Sequence, residues 1–191
     1  MSARLNESVN GSESSTLRRT NRVVVGVSGS PGSLAALTRA VQEARRRGHL
    51  LVPVSTWTPR GGEAAARRAP SPELDAQTER AAEEQLRRAI ASALGGMPED
   101  VPVAPTVVRG SVVDALVSLA DHPGDLLVLG GGPRHPLVRL VRGGMRRQVT
   151  ARAQAPVLLV PEPTVPRGTR RRLRNLTADD FRRGAADGLA A

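Results

Sequence analysis

Hydrophobic residues along the chain form five short, continuous apolar runs that are separated by amphipathic stretches. The runs occupy residues 22–27, 50–56, 103–110, 125–130 and 155–160. Continuous rather than alternating apolar runs are typical of strands that are buried on both faces of a parallel sheet. The pattern therefore predicts an α/β fold of the doubly wound, Rossmann-like or flavodoxin-like type. We expect a single domain with a five-stranded, mainly parallel sheet and helices on both faces.

The stretches between these runs predict the helices. Ser33 is the expected N-cap of the first helix, which ends near Gly48. A long helix is expected from about residue 73 to residue 94, and the S-x-x-D sequence at 111–114 indicates a capping box for the next one. Residues 144–153 are expected to form the last helix, after an open glycine-rich loop.

The two ends of the chain differ from its middle. Residues 1–20 are polar and rich in Ser and Asn, and residues 162–191 are basic, so we expect disordered tails around a folded domain at 21–161. The first tail lacks the apolar centre of a signal peptide, and no run approaches the roughly 18 apolar residues of a membrane span. These features indicate a cytoplasmic protein with no membrane contact.

Composition limits the chemistry. The net charge is +10 and all 28 basic residues are Arg, which is typical of polyanion-binding proteins but also of GC-rich coding. The chain has one Trp, one Phe and no Tyr, so stacking on bases is nearly unavailable. The absence of Cys excludes thiolate and disulfide chemistry. No metal site is expected, because His49, His122 and His135 lack metal-ligand spacing.

Two glycine-rich turns are the candidate site. The sequence "SGSPG" follows the first strand at 28–32, and "GGGPRHP" follows the fourth at 130–136. A doubly wound sheet places the first and fourth strands side by side, so both turns would meet where such folds bind ligands. Glycine allows a ligand to approach the backbone, and unpaired N–H groups at helix starts favour anions. The pattern therefore predicts a nucleotide crevice.

The strand "VVVGV", the following "GS", the strand "LLVPVSTW" and a glycine loop that leads to "PVLLVP" resemble the universal stress protein family over about residues 21–161. In nucleotide-binding members, the fourth strand leads into Gly-x2-Gly-x9-Gly-Ser/Thr. Gly130 and Gly143 keep the family's separation of thirteen residues. Pro133, however, takes the second glycine position and Gly144 the Ser/Thr position, and Ser28 stands where ATP-binding members have Asp.

The resemblance implies a non-catalytic stress-response or regulatory module that forms a homodimer through the strand at 155–160. It also implies a degenerate adenine-nucleotide crevice with no required cofactor and weak ATP binding. The residues expected to form it are Ser28, Val54, Gly130, Gly131, Gly132, Gly143 and Gly144. The N–H groups of the last four glycines are expected to face an anion. Compensating charge could come from Arg134, Arg139, Arg142, Arg146 and Arg147.

Two alternatives stay open. The first is a basic adaptor that contacts nucleic acid or another polyanion through its arginine-rich loop or through the tail at 170–174. The second is a genuine ATP-binding sensor or weak nucleotide hydrolase. A hydrolase is not expected, because no His or carboxylate lies in a motif that would activate Ser28, Ser30 or Ser33.

Overall fold

The computed structural model describes residues 20–131 and 136–163. Within them, one sheet contains β1 (Arg22–Gly26), β2 (Leu50–Trp57), β3 (Thr106–Arg109), β4 (Leu126–Gly130) and β5 (Val157–Val160). The strand order is β3-β2-β1-β4-β5, and every pair is parallel. The predicted doubly wound fold is therefore confirmed, with β1 next to β4. The predicted tails lie outside the described residues, except for residues 20, 162 and 163.

The described helices are α1 (Pro31–Arg47), α2 (Gly62–Arg68), α3 (Pro72–Leu94), α4 (Val112–Leu119) and α5 (Pro136–Arg152). Two of them differ from the sequence-based expectation. Helix α2 was not expected, because the segment around it is rich in Pro, Gly and Arg, and α2 buries none of its residues. Helix α5 begins at Pro136 rather than at residue 144, so the open loop after β4 is shorter than expected.

The core has two layers, one on each face of the sheet. Val23 and Val25 of β1 face α1 and α3, whereas Val24 faces α4 and α5, because successive strand side chains point to opposite faces. All three valines are fully buried. The continuous apolar runs thus reflect a sheet that is covered by helices on both sides.

The N-cap of α1 differs from the expected one, whereas that of α4 is the expected residue. Ser30, not Ser33, caps α1, and its Oγ accepts a hydrogen bond from the Ser33 N–H at 3.3 Å. Pro31 occupies the first helical position, where a fixed φ and a missing N–H are tolerated, so the helix starts before Ser33. Ser111 flanks α4 as expected, but its side chain makes no capping hydrogen bond.

Arg109, at the end of β3, makes polar contacts with α2, α3 and β2. Its Nη2 lies 3.0 Å from Glu63 Oε2 and its Nη1 lies 2.8 Å from Asp75 Oδ2. The guanidinium also lies 5.4 Å from the centre of the Trp57 ring. The hydrogen bond from Arg109 lowers the pKa of Glu63. The ion pair with Glu63 therefore links α2, which buries none of its residues, to the end of β3.

Candidate nucleotide crevice

The candidate site lies at the carboxyl edge of the sheet, where the chain changes direction. From β1 the chain proceeds to β2 and β3 on one side, and it then crosses to β4 and β5 on the other. Open α/β sheets bind ligands at such a switch point, outside the carboxyl ends of the strands. A cavity of about 310 Å³ occupies this position between β1, β2 and β4.

Four of the residues predicted from the sequence line this cavity, namely Ser28, Val54, Gly130 and Gly131. The other three are placed differently. Gly132 lies outside the described residues, and Gly143 lies within α5. Gly144 also lies within α5 and borders a separate shallow depression beside Arg147. The structure thus brings together the residues at the strand ends, but it does not bring Gly143 and Gly144 into the cavity.

The cavity also contains residues that the sequence did not single out. Thr56 continues β2 beyond Val54, Gln85 comes from the middle of α3, and Met145 comes from α5. Strand alternation could have indicated Thr56, because residues two apart share a face. The position of Gln85 depends on how α3 packs, and no local pattern around it carries that information.

The first turn is held by its own serine side chains. The Ser28 N–H donates to Ser33 Oγ at 3.3 Å, and the Ser33 hydroxyl donates to the Ser30 carbonyl oxygen at 2.9 Å. Ser28 Oγ and Ser30 Oγ are 3.1 Å apart. Gly29 has φ of +76°, a conformation that favours glycine. Hydroxyl groups, and no carboxylate, therefore face the cavity from this turn.

The two glycine-rich turns touch each other through their backbones. A methyl group on Gly32 would overlap the carbonyl oxygen of Gly131, and one on Gly130 would overlap the carbonyl group of Gly32. The glycines at these positions are thus explained by close packing between α1 and the end of β4. Gly130 and Gly131, on one side of this contact, also line the cavity.

The expectation that glycine N–H groups point to an anion is wrong for three of the four glycines. The Gly131 N–H donates to the Val160 carbonyl oxygen of the edge strand. Gly144 is the ninth residue of α5, where a backbone N–H donates to the carbonyl four residues earlier. Gly143 also lies inside the helix. The spacing of the family motif is kept, but these donors belong to the secondary structure.

Arg146 is the one charged side chain among the described residues that line the cavity. It is partly buried and makes no ion pair with another described residue. Its neighbour Arg147 is exposed and does not line the cavity. The described lining contains neither Asp nor Glu, so the cavity favours an anion and offers no carboxylate to a metal ion.

Many of the other described arginines are paired with carboxylates. The Glu43 carboxylate on α1 is 5% exposed and lies 2.6 Å from Arg46 Nη2. It also accepts hydrogen bonds from Arg39 and Arg47. The hydrogen bond from Arg46 is the largest of the causes that lower the pKa of Glu43 from 4.5 to about 2. Arg45 pairs with Asp100, and Arg152 pairs with Asp114.

Two further findings concern the described part of the chain as a whole. No three His, Cys, Asp or Glu side chains in it converge on a position for a metal ion. None of its helices combines the length and apolar character needed to cross a membrane.

Comparison with known proteins agrees with the fold. The sequence model of the Universal stress protein family matches residues 19–161. The universal stress protein UspA from Lactobacillus plantarum is similar at a TM-score of 0.56 and 23% identity, over 74% of this chain and 98% of that one. A universal stress protein from Archaeoglobus fulgidus is similar at a TM-score of 0.52 and 22% identity, over 73% and 97% of the two chains.

A crystal structure of a universal stress protein in complex with cAMP is 27% identical, at a TM-score of 0.48, over 75% of this chain and 98% of that one. No curated protein sequence matches this chain significantly. Since the family model covers most of the chain, the protein belongs to the universal stress protein family.

Proposed function

We propose that this protein is a non-catalytic regulatory module of the universal stress protein family, whose crevice binds an adenine nucleotide weakly. The observation that carries the proposal is the cavity at the switch point between β1 and β4, lined by Ser28, Val54 and Gly130. Its walls are apolar at Val54, Leu116 and Leu129. Apolar walls with a few polar groups are typical of small-ligand sites.

The polar groups of the cavity support binding rather than catalysis. A serine nucleophile needs an adjacent general base. The described neighbours of Ser28 are the Ser30 hydroxyl and the amide of Gln85, which donates to the Ser28 carbonyl oxygen at 3.2 Å. Neither group is basic enough to take a proton from a hydroxyl or from a water molecule. A nucleotide bound here is therefore expected to remain intact.

Blocking the crevice tests the binding proposal. Thr56 lines the cavity, so Thr56→Phe is expected to abolish binding of adenosine, AMP, cAMP and ATP in calorimetric titrations. Thr58 is exposed and lies outside the lining, which makes Thr58→Phe the matched control. Equal binding by both variants, at unchanged melting temperature, would place the nucleotide elsewhere on the molecule.

Salt dependence separates the crevice from the polyanion alternative. Binding through several phosphate contacts weakens by about three powers of ten or more as salt rises from about 50 to 200 mM. A crevice with one arginine is expected to lose far less affinity over that range.

We also propose a homodimer through β5. This strand lies at one edge of the sheet, and edge strands with apolar side chains tend to pair. Leu159 is 51% exposed, whereas Leu158 and Val160 pack partly against the core. Leu159→Lys is therefore expected to give a monomer in light scattering. Met97 is equally exposed and lies away from β5, so Met97→Lys is the control and should stay dimeric. A monomeric unaltered protein at micromolar concentration would refute the dimer.

A further inference from the structure

The polar groups of the crevice that secondary structure does not use determine which phosphate-bearing ligand it can bind. The family motif would supply backbone N–H groups for a chain of phosphates, but the N–H groups of Gly131 and Gly144 are used by β5 and α5. Among the described residues, the side-chain donors left at the cavity are the hydroxyls of Ser28, Ser30, Ser55 and Thr56, the amide of Gln85 and, as the one charged group, the guanidinium of Arg146. They amount to one positive charge.

One guanidinium matches one phosphate group. Arginine binds phosphate through two parallel N–H···O bonds, which are stronger than bonds between neutral groups. A triphosphate would bring several negative charges. Mg²⁺ usually offsets these charges, and the ion is itself held by one or two protein carboxylates together with the phosphates. The described lining has no carboxylate, so a metal ion gains no carboxylate ligand there.

Cavity size points in the same direction. Small-ligand pockets span about 300 to 1,000 Å³. At about 310 Å³, this cavity lies at the lower end of that range. A nucleoside with a single phosphate is therefore a better match in size than a triphosphate with its metal ion.

On the basis of the nucleotide binding proposed above, we propose that Arg146 binds the phosphate of an adenosine monophosphate and makes the crevice selective for it over Mg²⁺-bound ATP. Arg146 acts as a specificity-determining residue. The apolar walls near Val54 and Leu116 hold the nucleoside, and the guanidinium holds the phosphate. The contact is independent of divalent metal ions.

Arg147 provides a control within the same turn of α5. It carries the same charge one residue further along the helix, but it is exposed and borders the shallow depression beside Gly144. General charge attraction would involve both arginines, whereas a phosphate contact inside the cavity involves Arg146 alone.

The test is calorimetric titration of the full-length protein with adenosine, AMP, and ATP with and without Mg²⁺. We expect AMP to bind about tenfold to a hundredfold more tightly than adenosine, the range for one hydrogen-bonded contact to a charged group. Arg146→Ala should remove this difference by weakening AMP binding to the level of adenosine. Arg147→Ala should change neither affinity. Arg146→Lys should restore only part of the difference, because an ammonium cannot form the paired bonds.

Three results would overturn the assignment while leaving nucleotide binding intact. They are equal affinity for AMP and adenosine, an equal loss in Arg147→Ala, and ATP binding that Mg²⁺ tightens beyond that of AMP. No binding of any adenine ligand would instead refute the nucleotide-binding function itself, and the role of Arg146 with it.

Discussion

The β1–α1 turn and the β4–α5 connection meet at one cavity but contribute to it in different ways. The first turn presents the hydroxyls of Ser28 and Ser30, held by hydrogen bonds within the turn. In the second, the Gly131 N–H pairs with β5 and Gly144 lies inside α5. A glycine motif can therefore keep its spacing while its donors are used by neighbouring secondary structure.

The largest expected loss of stability comes from the contact between the β1–α1 turn and the β4–α5 connection. Gly32→Ala adds a methyl group that overlaps the Gly131 carbonyl oxygen, so α1 and β4 must move apart. Overpacking of this kind costs about 3 kcal/mol when backbone has to shift. Urea unfolding measures the loss of stability. A variant as stable as the unaltered protein would show that the two turns are not in close contact.

A smaller effect is expected from the cap of the first turn. Ser30→Ala removes the side-chain acceptor of the Ser33 N–H and should lower the free energy of unfolding by about 1 kcal/mol. Ser111 flanks α4 without a capping hydrogen bond, so Ser111→Ala is the matched control and should have a smaller effect, limited to its side-chain hydrogen bond with exposed Asp114. Equal losses in both variants would argue against the assignment of Ser30 as the cap.

The smallest expected effect is a gain in stability, and it concerns Gly144 in the β4–α5 connection. A methyl group on Gly144 would meet no other described atom within 4 Å, and the residue lies inside α5. Gly144→Ala should therefore raise the free energy of unfolding by about 0.5 to 1 kcal/mol, the usual gain within a helix. If Gly144 instead lay in an open loop before the helix, the substitution would bring no gain.

The same contrast explains how far sequence alone could go. The apolar runs predicted the strands, their parallel pairing and the position of the crevice. They did so because strands that are buried on both faces of a doubly wound sheet consist of continuous Val and Leu segments. Ser28 was found by its place in the turn after β1, and Val54 by the resemblance to the family. These features depend on local pattern and on topology rules that hold for the fold class.

The rest depended on contacts between distant segments. The use of the Gly131 N–H by β5 depends on sheet pairing at the edge, and the entry of Gln85 into the cavity depends on the packing of α3. The start of α5 at Pro136 was missed because the glycine pair at 143–144 was taken as a helix boundary. Glycine weakens a helix by only about 1 kcal/mol, and tertiary packing overrides such a preference.

The most direct test of the weakened crevice is the affinity of the full-length protein for Mg²⁺-bound ATP, measured by titration calorimetry. Two lost hydrogen bonds to charged groups, at about 1.5 to 3 kcal/mol each, weaken binding by roughly two to four powers of ten. We therefore expect a dissociation constant near the millimolar range, and tighter binding after the double reversion Ser28→Asp and Pro133→Gly. A micromolar dissociation constant in the unaltered protein would contradict the account, because the crevice would then bind the triphosphate without the donors of the family motif.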